Sequence, residues 1–195
     1  KLFIKYVEKA QFCVRIAPST RSFMYKKILF VCLGNICRSP LAEAIFKKQL
    51  EIRGIQDQYT VDSCGISNQH IGDRPDPRTI RNARHHDVEI IHIGRQLIPS
   101  DFNNFDLILT MDRSNFQNAT EVSARASGKK GDLKMMRSFD PESLGTQDVP
   151  DPWYGNEEGF EEIFQILSRT CESLIDFLEK QQQTEVKKAR IPTSL

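Results

Sequence analysis

The chain has 195 residues, a net charge of +1, and 27% charged against 39% hydrophobic residues, the balance of one globular domain with a core of its own. No apolar run reaches the length of a bilayer span, and residues 1–23 carry five basic side chains against Glu8 alone, leaving 22 basic and 25 acidic residues in the rest. A mildly acidic body excludes an ordinary nucleic-acid binder, which shows a basic face, so neither nucleic acid nor membrane is expected as a partner.

Residues 1–23 stand apart. The segment starts without Met, is poor in acids and ends in Pro18-Ser19-Thr20-Arg21-Ser22. It reads as an organelle transit segment, as a leader translated from upstream, or as an extra element whose apolar side would be Phe3, Ile4, Val7, Phe12, Val14 and Ile16. The preferred reading is a non-catalytic leader on a cytoplasmic protein; a transit segment would make the location organellar. The five cysteines, Cys13, Cys32, Cys37, Cys64 and Cys171, are odd in number and lack disulfide-framework spacing, which points to a reducing compartment. Cys32 and Cys37 stand five apart with no Cys-x2-Cys and no partnering pair of histidines, so no metal is expected.

From Lys26 onward strands alternate with helices. Ile28-Leu29-Phe30-Val31 is a short continuous apolar run, as a strand buried on both faces requires. Pro40 suits a first helical turn, and Leu41, Ala42, Ile45 and Phe46 carry a helical stripe toward Gly54. Tyr59 to Ser63 predicts a second strand, Pro77 to His86 a helix, Phe105 to Thr110 a third strand, and Asp112 to Glu121 another helix. Leu133 to Phe139 is a weaker strand with a lysine inside it. Phe160, Ile163, Phe164, Leu167, Cys171, Leu174, Ile175 and Leu178 then follow i, i+3, i+4, i+7 spacing. Polar and basic residues from Gln181 onward predict fraying, with the tail at 183–195. The alternation predicts a three-layer α/β domain over residues 24–182 with a parallel sheet. Ligands in such folds bind beyond the C-terminal strand ends, where the segment after Val31 lies.

That segment is Cys32-Leu33-Gly34-Asn35-Ile36-Cys37-Arg38-Ser39. A loop entering a helix N-terminus offers backbone N–H groups and the positive end of the helix dipole, which bind phosphate and stabilise a thiolate. Gly34 and Asn35 tolerate the left-handed geometry that makes consecutive N–H groups converge. Arg38 adds a fixed charge and a planar fork suited to two phosphate oxygens. Cys32 is the candidate nucleophile, Leu33 to Arg38 the phosphate-binding loop, and no cofactor is needed because the amides and Arg38 supply the positive field.

Val31 to Pro40 followed by Ala42-Glu43-Ala44, then Asp62-Ser63, Pro75-Asp76-Pro77-Arg78, Thr110-Met111-Asp112, Ser114-Asn115 and Asp151-Pro152-Trp153-Tyr154-Gly155, resembles the low-molecular-weight protein-tyrosine phosphatases. The likeness runs over about residues 26–180. It implies a flavodoxin- or Rossmann-like four-stranded parallel sheet of order 2-1-3-4 and hydrolysis of phosphotyrosine through a phosphocysteine on Cys32. It also implies that Asp151 acts as general acid and then base, and that Ser39 donates to the Cys32 thiolate. Asn35 would be supported by Ser63 and His86, with Trp153 and Tyr154 walling a substrate slot. The family usually carries Tyr where Trp153 stands, which bears on substrate preference more than on reaction type. Cys37, in the same short loop, would pair with Cys32 under oxidation; the alternative is a small packing residue. Expected partners are phosphotyrosine proteins and, through them, tyrosine kinases, with the chain itself a monomer.

Three rival activities share parts of this pattern. Arsenate reduction needs a relay of cysteines, and only Cys64 lies near the second strand's end. Arginine phosphatases of this family are associated with Thr after the loop Asn, where this chain has Ile36. A binding module without turnover would not need Cys32, Arg38 and Asp151 together.

Overall fold

The computed structural model describes residues 25–143, 145 and 147–189, so the expectations for residues 1–23 lie outside the described residues. Strand β1, Lys27–Cys32, is buried from Ile28 to Cys32 and forms the middle of the sheet. β2 (Thr60–Gly65) pairs with it on one side and β3 (Leu107–Thr110) on the other, with β4 (Asp132–Met135) outside β3. All pairings are parallel and the order is β2-β1-β3-β4, as expected.

Helices α1 (Arg38–Ile52), α2 (Pro77–His85), α3 (Asp101–Asn104), α4 (Arg113–Ala124) and α5 (Glu157–Ala189) cover the sheet. Successive strand residues face opposite layers, and β1 obeys this: Ile28, Phe30 and Cys32 join the core with α1 and α5, whereas Leu29 and Val31 join the core with Phe102 and Ala119. Cys32 therefore points toward the α1 side at the C-terminal end of the central strand.

Three elements differ from expectation. β4 stops at Met135, and a 3-10 turn follows at Met136–Phe139. Its partner β3 ends at Thr110 opposite Met135, leaving nothing to pair with beyond. α3 carried no periodic signal because it is a single turn. α5 runs through Gln181 to Ala189 rather than giving way to a tail at 183. Its last turns are rich in good helix formers, and Gln182 Nε2 donates to Tyr59 Oη at 2.7 Å. Among the described residues no helix is long and apolar enough to cross a membrane.

Candidate active site

The loop after β1 bends through Leu33–Cys37 into the first turn of α1. Asn35 takes the left-handed conformation at φ 58°, which turns its N–H back onto Cys32 Sγ at 3.2 Å. The helix N-cap, Cys37, makes no side-chain cap and the first turn holds no acid, so the N-terminal amides and dipole remain directed at the loop centre. Gly65 closes the floor: a Cβ there would meet Leu33 O at 2.9 Å and Asn35 N at 3.1 Å.

Cys32 is 3% exposed, and its Sγ lies 3.0 Å from Ser39 Oγ. Ser39 Oγ accepts from Asn35 Nδ2 at 2.9 Å, which leaves its own hydrogen for Cys32 or for the Cys64 carbonyl at 3.3 Å. Ser63 Oγ also accepts from Asn35 Nδ2, at 3.0 Å, and donates to Glu43 Oε2 at 2.7 Å. Asn35 Oδ1 accepts from Arg95 N–H at 2.9 Å and contacts His92 Nε2 at 2.8 Å.

The third support of Asn35 is therefore His92. The sequence reading gave that place to His86, which instead stacks on Phe164, with ring centroids 3.8 Å apart, and pairs with Glu161 at 2.8 Å. His86 caps α2 and faces α5; the extended run after it carries His92 back under the loop. The bonding of Asn35 fixes the role of His92 Nε2. Arg95 N–H can only donate, so Asn35 Oδ1 is an acceptor and His92 Nε2 must donate to it. His92 Nδ1 lies 3.1 Å from Glu43, whose carboxyl sits below its usual range: burial alone would raise it, but His92, Lys47 and Ser63 outweigh that. A buried His92–Glu43 contact therefore underpins the loop. Glu43, Asp62 and His92 bring potential metal-ligating atoms within 4.8 Å, yet His92 and Glu43 are engaged in holding Asn35 and Ser63. Glu43 and Arg95 were missed by sequence reading; the signal for Glu43 was an acid inside the apolar stripe of α1.

Arg38 reaches across the mouth. Its Nη1 donates to Asp112 Oδ2 at 2.7 Å and to Val149 O at 3.1 Å, and its Nη2 to Asp151 Oδ2 at 2.9 Å. Burial alone would lower its pKa, but Cys32, Asp151 and Asp112 hold it above the usual value. Asp112 also N-caps α4 by accepting from Asn115 N–H at 2.6 Å. Asp151 Oδ1 accepts from Trp153 N–H at 3.1 Å. Between this acid loop and the phosphate loop opens a pocket of about 210 Å³ lined by Cys32 to Gly34, Ile36 to Arg38, Ser67, Gln69, His70, Asp151, Trp153 and Tyr154. The structure thus brings together every sequence-predicted site residue except His86; Asn35, Ser39 and Ser63 stand beneath the pocket rather than in it. Cys37 is buried, and burial pushes its thiol up to about 12, so it is protonated at neutral pH.

A thiol at the base of an amide-lined anion cradle, on the C-terminal edge of a parallel sheet, defines a cysteine-based phosphatase of the three-layer α/β type. The model of the low molecular weight phosphotyrosine protein phosphatase family matches residues 27–184. The pig (Sus scrofa) low molecular weight phosphotyrosine protein phosphatase is 39% identical over 155 residues, 80% of this chain and 95% of that protein. The structure of a protein tyrosine phosphatase from Entamoeba histolytica is similar at 38% identity and a TM-score of 0.74, covering 80% of this chain and 99% of that one. A Drosophila arginine phosphatase is similar at 30% identity and a TM-score of 0.73, covering 77% of this chain and 96% of that one. The chain belongs to the low molecular weight phosphotyrosine protein phosphatase family.

Proposed function

We propose that this protein hydrolyses phosphotyrosine in proteins, and small aryl phosphates, through a phosphocysteine intermediate on Cys32. The observation that carries this reading is the joint placement of Cys32 Sγ beside Ser39 Oγ and the Asn35 N–H with Arg38 bonded to Asp151 across the same mouth. Cys32 attacks phosphorus; the P–O bond to the tyrosine breaks, and Asp151 gives its proton to the departing phenolate. Arg38 and the loop amides hold the equatorial oxygens, where charge resides in the transition state. Water then attacks phosphorus, Asp151 takes its proton, and the P–S bond breaks to return the thiolate. A phosphate dianion competes with Asp151 for Arg38 Nη2; its arrival frees the carboxylate, which takes up a proton from solvent before it serves as the acid.

The aromatic pair Trp153 and Tyr154 at the rim suits a long aryl ester, whose phosphate reaches Cys32 only from the end of a ring. Phosphoarginine is the competing substrate class, hosted by the same fold in the Drosophila neighbour. Assay with a phosphotyrosyl peptide, para-nitrophenyl phosphate, phosphoarginine, and arsenate plus thiol separates these activities. Turnover confined to the aryl esters and abolished in Cys32→Ser is the expected result; wild-type-like hydrolysis by that variant would sink the mechanism.

Cys37 serves as a redox partner: peroxide oxidises Cys32 to a sulfenic acid, the Cys37 sulfur attacks it, and the S–O bond breaks as the departing hydroxyl takes the Cys37 proton and leaves as water. Its place in the same loop and both thiols being free support this. Peroxide inactivation that dithiothreitol reverses in the wild type but not in Cys37→Ser is expected; equal recovery in both would remove the role. Four buried free cysteines among the described residues favour a reducing, cytoplasmic setting. The catalytic unit is a monomer that tyrosine kinases supply with substrates, and residues 1–23 take no part in turnover; a variant beginning at Met24 should keep full activity and sediment as one subunit.

A further inference from the structure

Arg78 belongs to neither the phosphate loop nor the acid loop, yet it is fastened to both. Asp76 grips it twice: Arg78 Nε donates to Oδ1 at 3.1 Å and Nη2 to Oδ2 at 2.9 Å, with the Arg78 backbone N–H adding a 2.7 Å bond to Oδ1. Asp76 is itself 8% exposed and tied to the phosphate loop, its N–H donating to Ile36 O at 2.8 Å. From this anchor the guanidinium reaches the acid loop. Nη1 donates to Trp153 O at 3.3 Å, and the guanidinium carbon lies 5.5 Å from the Trp153 ring centroid and 4.8 Å from that of Phe160. Phe160 packs in turn with Ile36 and Cys37 of the phosphate loop. A planar cation that bonds and stacks at once fixes both the height and the tilt of the indole.

The acid loop has a second attachment, Asp151 on Arg38. Substrate phosphate takes that edge of Arg38, so this attachment is given up on binding, whereas the one to Arg78 is not. Resting on the phosphatase reading of the site, we propose that Arg78 is a positioning residue: it holds Trp153 and, through the short Asp151–Trp153 link, the acid at a set distance from Cys32 while Arg38 turns to the phosphate. Arg78 touches no reacting atom. It acts through the slot wall, so its influence falls on ring binding and leaving-group protonation and spares the phosphate cradle.

The test uses Arg78→Ala and Arg78→Lys, with circular dichroism and a thermal melt to verify folding. Kinetics are measured with a phosphotyrosyl peptide and aryl phosphates of graded leaving-group acidity, beside inhibition by inorganic phosphate. Trp153 is the single tryptophan of the chain, so its emission reports the slot wall directly. Arg78→Ala is expected to lose about tenfold in kcat/KM on the peptide, with larger losses for poorer leaving groups and phosphate inhibition within about twofold of wild type. Its indole emission shifts to the red and responds less to added phosphate. Arg78→Lys keeps the charge but cannot bridge Asp76 and Trp153 at once, so the same pattern at about threefold is expected; it carries the test if the alanine variant does not fold. Unchanged kinetics and emission would overturn the proposal, as would equal losses in phosphate affinity and in turnover of every ester. Absence of peptide turnover in the wild type would count against the phosphatase reading instead, and the emission and phosphate arms would still decide the role of Arg78.

Discussion

Beneath Cys32, the polar groups that shape the phosphate loop are buried and multiply bonded: Asn35 alone meets Ser39, Ser63, His92 and Arg95. The acid loop across the pocket has Trp153 40% and Tyr154 96% exposed, and it is pinned at two points by arginines. One half is built in advance to receive a tetrahedral dianion, at the expense of burying His92 and Glu43 side by side. The other half is exposed, and beyond the Arg78 anchor on Trp153 its rim at Tyr154 can adjust to whatever carries the phosphate. Phosphate binding and nucleophilic attack therefore belong to the rigid half, and leaving-group protonation and substrate choice to the other.

Neutralising Asp151, the proposed proton donor, should break the division most severely. Asp151→Asn is expected to slow turnover by about 10²- to 10³-fold, most for poor leaving groups, while phosphate inhibition persists; a uniform loss across leaving groups in steady-state assays would mean that Asp151 is not the acid. Next comes the rigid half itself. Asn35→Ala strands two serine hydroxyls, His92 and the Arg95 N–H, and should cost about 2 kcal/mol in urea unfolding and at least about tenfold in kcat/KM; wild-type stability with wild-type kinetics would show that the loop keeps its shape without the network. Tyr154→Ala should raise KM for a phosphotyrosyl peptide by about threefold and leave phosphate inhibition alone, sharpening the separation of roles. The smallest effect concerns the link between α2 and α5, outside both halves. Glu161 is held down to about 2, chiefly by Gln165 and then by His86. A depressed carboxyl contributes stability that is fully present above its ordinary value of 4.5 and is lost as pH falls toward 2. Between those limits the wild-type melting temperature should fall more steeply than that of Glu161→Gln; parallel curves would remove the contribution.

Much of the rigid half could be read from the chain because its parts are contiguous. Val31 to Pro40 carries strand end, nest, guanidinium and helix start in one run, and the alternation of apolar segments implied the sheet. Its supports were harder to place. His86 and His92 lie six apart, one closing α2 and the other on an extended segment without periodicity, and only the path of that segment decides which reaches Asn35. Arg95 acts through its backbone N–H, to which the side chain gives no clue. The extent of α5 was obscured because its last turns have no apolar stripe, although their helix propensity is high. Arg78 stood in a motif next to Asp76 and Pro77, where it reads as the start of a helix; its bond to Trp153 spans 75 residues and leaves no local trace.

The Arg38–Asp151 pair bears on which anions the pocket admits. In the resting protein the guanidinium edge that faces the cavity already has a carboxylate partner at 2.9 Å. A singly charged visitor, such as an aryl sulfate or a carboxylate, would exchange one negative charge for another and gain little. A doubly charged phosphate ester offers the cation more than it gives up, and the displaced carboxylate swings free where the leaving group departs. The internal ion pair thus sets an entry threshold by valence, so aryl sulfates should compete poorly with aryl phosphates of the same ring until Asp151 is neutralised.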